Sequence, residues 1–140
     1  MAENVIAADK LEARLVANHF NAWMGLHFVS YTEDGIEIGM KWREEMISNP
    51  NLRITHGGII GALIDVAADF ALAAKIGMPV PTVDLRVDYH RVAEPGDLVA
   101  KGRVVRLGST NAVAEASVHD AQGRLIASGR GVYFSAAAKS

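Results

Sequence analysis

The sequence has 140 residues, half of them hydrophobic and 21% charged, with 14 Lys and Arg against 16 Asp and Glu. Its length is that of one domain; its apolar content excludes a disordered chain, and the lack of a basic excess excludes a general nucleic-acid binder. With no cysteine, disulfides, thiolate metal sites and a cysteine nucleophile are excluded as well.

The opening segment MAENVIAADKLEARL has no basic start followed by an apolar core, so no secretory signal is expected. The longest apolar stretch, Gly57 to Ala74, is interrupted by Asp65 and Asp69. A membrane span needs ~20 apolar residues, and a central Asp costs ~2.5–3.5 kcal/mol on insertion scales. A soluble cytoplasmic domain with no membrane partner is the expectation.

In chain order, Leu11, Leu15, Val16, His19 and Phe20 recur at helical spacing and predict one helix over residues 8–22. Two strands follow, HFVSYT and IEIGMKW, joined by the turn residues Glu33, Asp34 and Gly35. Ser48, Asn49, Pro50 and Asn51 read as a loop. The next segment predicts a helix of about 18 residues from Gly58 to Lys75, with Gly77 as its C-cap. It is apolar on nearly every side, as a helix buried all round would be. Four long β segments with tight turns complete the chain, and SAAAKS is expected to fray. The fold class is therefore α+β: an antiparallel sheet of about six strands wrapped around one long central helix, with the N-terminal helix outside. The free edge and outer face of such a sheet predict a dimer by sheet continuation.

Three features bear chemistry. His56-Gly57-Gly58 stands at the start of the apolar helix. Backbone N–H groups there are unsatisfied and partly positive, which suits an oxyanion or a polarised carbonyl; the same residues also suit a glycine turn before a tightly packed helix. Asp65 lies mid-helix between Ile64 and Val66, where an ionised carboxylate needs a partner, a cleft or a function. Asp69, at i+4, shares its face, and two carboxylates that close push one to titrate higher; Asp69 can equally mark a wet stripe. Asn49 offers a donor and an acceptor for a water or a carbonyl, or simply makes a turn. His19, His27, His90 and His119 show no metal-ligand spacing, and no metal site is expected.

His56-Gly57-Gly58, with Asp65 nine residues after the His, Asn49-Pro50 upstream and Pro95-Gly96-Asp97 downstream, resembles the hotdog-fold acyl-CoA thioesterases. The branch it looks like includes the phenylacetate-pathway and 4-hydroxybenzoyl-CoA thioesterases, and the resemblance covers about Trp23 to Phe134. It implies a single hotdog domain over 1–140 that hydrolyses an aryl or medium-chain acyl-CoA to acid and CoA. Asp65 is then nucleophile or general base, the Gly57 N–H polarises the thioester carbonyl, and Thr82 assists the carboxylate. The family's Asn or Gln, which places water or thioester, falls on Pro50 here; Asn49 and Asn51 flank it and Asn49 is the first choice, while His56 orients the loop. Gly58 and Asp69 border the substrate. Asp69 stands where relatives often carry a small hydroxyl residue, and it would meet a polar acyl substituent. The coenzyme A phosphates need cations, for which Arg106 beside Ser109 and Thr110 is the first choice. No cofactor is implied, since coenzyme A is part of the substrate. The site is expected across a dimer, Asp65 and Thr82 of one copy facing Gly57 and Asn49 of the other, in a tetramer of two dimers. The alternatives are a non-catalytic acyl-CoA binder, against which Asp65 argues, and a hotdog hydratase, whose motif has no match.

Overall fold

A computed structural model describes residues 3–139. Helices α1 (Ala8–Ala17) and α2 (His19–Trp23) precede strands β1 (Leu26–Tyr31) and β2 (Gly35–Met40). A short pair, β3 (Ile47–Asn49) and β4 (Ile54–Thr55), leads into α3 (Gly57–Ile76). Strands β5 (Thr82–Tyr89), β6 (Leu98–Arg106), β7 (Ala112–His119) and β8 (Leu125–Tyr133) follow. Six strands form one antiparallel sheet in the order β1-β2-β6-β7-β8-β5.

The sheet wraps α3, as expected from the alternation of its strands. In β7 every second residue (Ala112, Ala114, Ala116, Val118) is buried against the helix. These meet Leu63, Ile64, Ala67, Ala68 and Ala71 of α3 in one core. Close approach is set by small residues: a Cβ on Gly102 of β6 would lie 2.3 Å from the Ala67 carbonyl oxygen. Gly77, with φ of 100°, ends α3 in the left-handed region and donates its N–H to Ala73 O.

Three expectations change. The N-terminal helix is broken at Asn18, whose extended backbone (ψ 121°) lets its side chain accept from the N–H groups of Phe20 and Asn21. That local cap competes with continuing the helix, and periodicity alone cannot register it. The segment around Asn49 contains the β3–β4 pair rather than only a loop. The tail is not frayed over its described part: Ser135 is buried, its hydroxyl donates to Gly108 O at 2.7 Å, and the Ala136 N–H donates to Thr110 O.

Strand β5 pairs only with β8, so its other edge is open among the described residues. It is also the strand that touches both ends of the candidate site.

Candidate active site

Asp65 is half-buried on the face of α3 turned toward the start of β5. Its Oδ1 accepts from Thr82 Oγ1 at 2.8 Å, the contact expected of Thr82. It also faces the Tyr133 hydroxyl at 3.0 Å, which lies 3.1 Å from the Asp65 backbone oxygen as well. Oδ2 accepts nothing from the described residues. One oxygen is thus fixed and the other is open. Tyr133 is fully buried, and burial, followed by the charge of Asp65, raises its pKa well above the ordinary tyrosine range. It therefore stays protonated and only donates.

Sequence reading missed Tyr133. A tyrosine closing an alternating strand is a usable signal, because a buried hydroxyl needs a partner and α3 offers few polar atoms.

Asp69 points the same way one turn later, but one of its oxygens is already engaged: Oδ1 accepts from the Val80 N–H at 3.0 Å, tying the segment after α3 back to the helix. Burial pushes its pKa up to about 7, the Val80 N–H opposes this, and the Asp65 charge adds to it. Asp69 therefore titrates high for a carboxylate. Between about pH 4 and 7 the folded state holds a proton that the unfolded chain has lost, so Asp69 stabilises least at high pH. Asp69→Asn keeps an acceptor for Val80. It is expected to flatten the fall in Tm between those pH values and to stabilise the protein at pH 8, by at most ~4 kcal/mol. A thermal melt series of both proteins reads this; parallel Tm curves would contradict it.

The helix start is built around His56. Its imidazole Nδ1 accepts from the Gly58 N–H at 2.8 Å and so caps α3. A Cβ on Gly58 would sit 2.9 Å from that nitrogen, which explains glycine there. The Gly58 N–H is consumed by this cap. The Gly57 N–H, at the first helical position, has no acceptor among the described residues. One donor is left open where a helix N-terminus is partly positive.

Asn49 uses its side-chain oxygen to accept from the Asn51 N–H at 2.9 Å, which is turn chemistry. Arg106, Ser109 and Thr110 are exposed at the β6–β7 connection. They stand at the sheet end where Ala112, Tyr133 and Thr82 are cross-strand neighbours, which is the Asp65 end.

A cavity of about 280 Å3 opens beside Asp65, with Phe20, Ala62, Val66, Phe70 and Pro79 as apolar walls and Arg14, Asn18, Asn21 and Asp69 as polar ones. A wider depression of about 700 Å3 on the outer sheet face is lined by Arg86, Asp88, Lys101, Arg103, Glu115 and Arg130. Those charges pair with each other or with Glu37, so that depression is a solvated salt-bridged surface remote from Asp65. Among the described residues no group of three His, Asp or Glu could hold a metal, and no helix is long and apolar enough to cross a membrane.

Within one copy, Asp65 and Gly57 stand eight residues apart on α3, ~12 Å along its axis at 1.5 Å per residue. A nucleophile and an oxyanion donor acting on one carbonyl must each lie about 3 Å from it. Asp65 and Gly57 of one copy are therefore too far apart to meet at a single carbonyl.

Comparison with known proteins places the chain in a family. Residues 52–127 match the thioesterase superfamily family model. A Halobacterium salinarum protein, named provisionally as an esterase, is 34% identical over 80% of this chain and 81% of its own. The medium/long-chain acyl-CoA thioesterase YigI of Escherichia coli is 28% identical over 90% of this chain and 92% of its own. The crystal structure of a thioesterase-superfamily protein, 49% identical, superposes with a TM-score of 0.88 over 91% of this chain and 96% of that one. The chain belongs to the thioesterase superfamily and carries its hotdog fold.

Proposed function

We propose that the protein hydrolyses acyl-CoA thioesters to free acid and CoA at a site shared by two copies. The observation that carries this is the pair of half-sites: a carboxylate with one oxygen pinned and one open beside a cavity with apolar walls on one side, and an open N–H at a helix start. The open edge of β5 supports antiparallel pairing with a second copy. That arrangement sets Asp65 of one chain against Gly57 of the other.

In this reading the Gly57 N–H receives the charge that develops on the thioester oxygen. Asp65 Oδ2 either takes a proton from water, whose oxygen attacks the carbonyl carbon, or attacks directly to form a mixed anhydride that water then opens. The carbon–sulfur bond breaks on either route, and the CoA thiolate takes a proton from the water consumed, by way of Asp65 on the first route and when water opens the anhydride on the second. Thr82 and Tyr133 keep Asp65 oriented through Oδ1.

The acyl group occupies the cavity beside Asp65, whose size and walls suit a medium-chain or aryl group rather than the whole of CoA. The name of the E. coli relative favours the aliphatic class, and the residue pattern around His56 favours the aryl branch. Arg106, Ser109 and Thr110 receive the CoA phosphates at the Asp65 end. Two such dimers form a tetramer in the cytoplasm.

Free-thiol release from a panel of aryl and aliphatic acyl-CoAs, run beside Asp65→Asn, tests the reading. Release by the wild type and its near-complete loss in the variant, with the fold and acyl-CoA affinity kept, is the expected result. Binding without release across the panel would instead make the protein an acyl-CoA binder.

A further inference from the structure

Tyr89 closes β5 with its side chain 54% exposed, yet its hydroxyl donates to the Gly57 carbonyl oxygen at 2.6 Å. The ring lies over the helix start: a Cβ on Gly57 would be 3.5 Å from it, and one on Gly61 3.4 Å from its hydroxyl. These are ordinary contact distances, so the ring packs directly on the helix start. The Gly57 carbonyl belongs to the same peptide unit as the Gly58 N–H, which donates to His56 Nδ1. That unit is therefore gripped at both ends, by Tyr89 on its oxygen and by His56 on its hydrogen. On the other side of Gly57, the His56 carbonyl accepts from the Ile59 and Ile60 N–H groups, and the His56 N–H donates to Met46 O.

Two consecutive glycines at a helix start have little intrinsic stiffness, because neither carries a Cβ. A donor that must meet a developing charge has to be held in place before the reaction. We propose that Tyr89 is a positioning residue for the Gly57 N–H, its hydroxyl locking the 57–58 peptide unit against the His56 imidazole and so fixing the direction of the open donor. This rests on the thioesterase reading above and deepens it.

The placement gives β5 a double task. At its start Thr82 holds Asp65, and at its end Tyr89 holds Gly57. If two β5 edges pair antiparallel, Thr82 of one chain approaches Tyr89 of the other, so a single strand aligns both halves of each shared site.

The test is Tyr89→Phe, which removes only the hydroxyl from a largely exposed ring and so keeps the fold. With the best acyl-CoA from the panel, kcat is expected to fall about 10- to 100-fold while KM moves less than about twofold. Adding His56→Ala in the Tyr89→Phe background is expected to cost far less than His56→Ala in the wild type, since both substitutions free one peptide unit. Hydrogen exchange at the Gly58 amide is expected to quicken in Tyr89→Phe, a reading that does not depend on turnover. Unchanged kcat, or unchanged Gly58 exchange, would overturn the role of Tyr89. A wild type that hydrolyses nothing while Gly58 exchange still responds would sink the thioesterase reading and leave the peptide lock standing.

Discussion

Gly57→Pro is expected to lower kcat for acyl-CoA hydrolysis about 100- to 1,000-fold in a folded protein, the usual loss when one oxyanion donor is removed. A backbone donor is ordinarily hard to delete, but here it stands at the first helical position, where proline is well tolerated because its missing N–H has no helical partner. The preceding residue, His56, has φ −58° and ψ 131°, the extended conformation that a following proline requires. A Cβ at position 57 meets Tyr89 only at ordinary contact distance. The substitution thus replaces the N–H donor with a ring nitrogen and leaves the helix, its His56 cap and Asp65 in place. Steady-state kinetics beside a thermal melt checks it, with kcat down and Tm within a few degrees. Retention of full activity would mean that Gly57 is not the donor.

The second large effect is a recovery. Asp65→Asn and Gly57→Pro are each expected to be nearly inactive alone, yet to regain about a quarter of the wild-type rate when unfolded together and refolded as an equal mixture. Random pairing makes half of the dimers mixed. In each of these, one site combines Asp65 from the Gly57→Pro chain with Gly57 from the Asp65→Asn chain and is intact, while the other carries both defects. The prediction follows from the ~12 Å that separates the two residues along one helix. A site contained in a single chain would leave the mixture as inactive as its components, and activity of the refolded mixture decides between them.

Much of this protein is legible in its residues. The apolar run from Gly57 onward, ended by Gly77, marks the central helix to within a residue at either end. Alternation in segments such as AVAEASVH marks the strands that wrap it. His56-Gly57-Gly58 and Asp65 stand out because glycine pairs and mid-helix carboxylates are locally unfavourable and call for a reason. The failures were local as well. Asn18 breaks a periodic helix through its own side chain, and Ser135 anchors a tail whose composition suggests none.

Asp69 shows where residue-level reasoning stops. Its proximity to Asp65 follows from helical spacing, and so does the expectation that one of the pair titrates high. That Asp69 does so depends on its burial, which outweighs the opposing Val80 N–H eleven residues away.

The sequence by itself determined the central helix, the strands around it, the carboxylate and the open glycine N–H, since each is written in local spacing and backbone chemistry. Only the tertiary structure decided what holds them. Tyr133 reaches Asp65 across 68 residues of chain and Tyr89 reaches Gly57 across 32. Such contacts depend on strand register and helix placement, which no local pattern encodes.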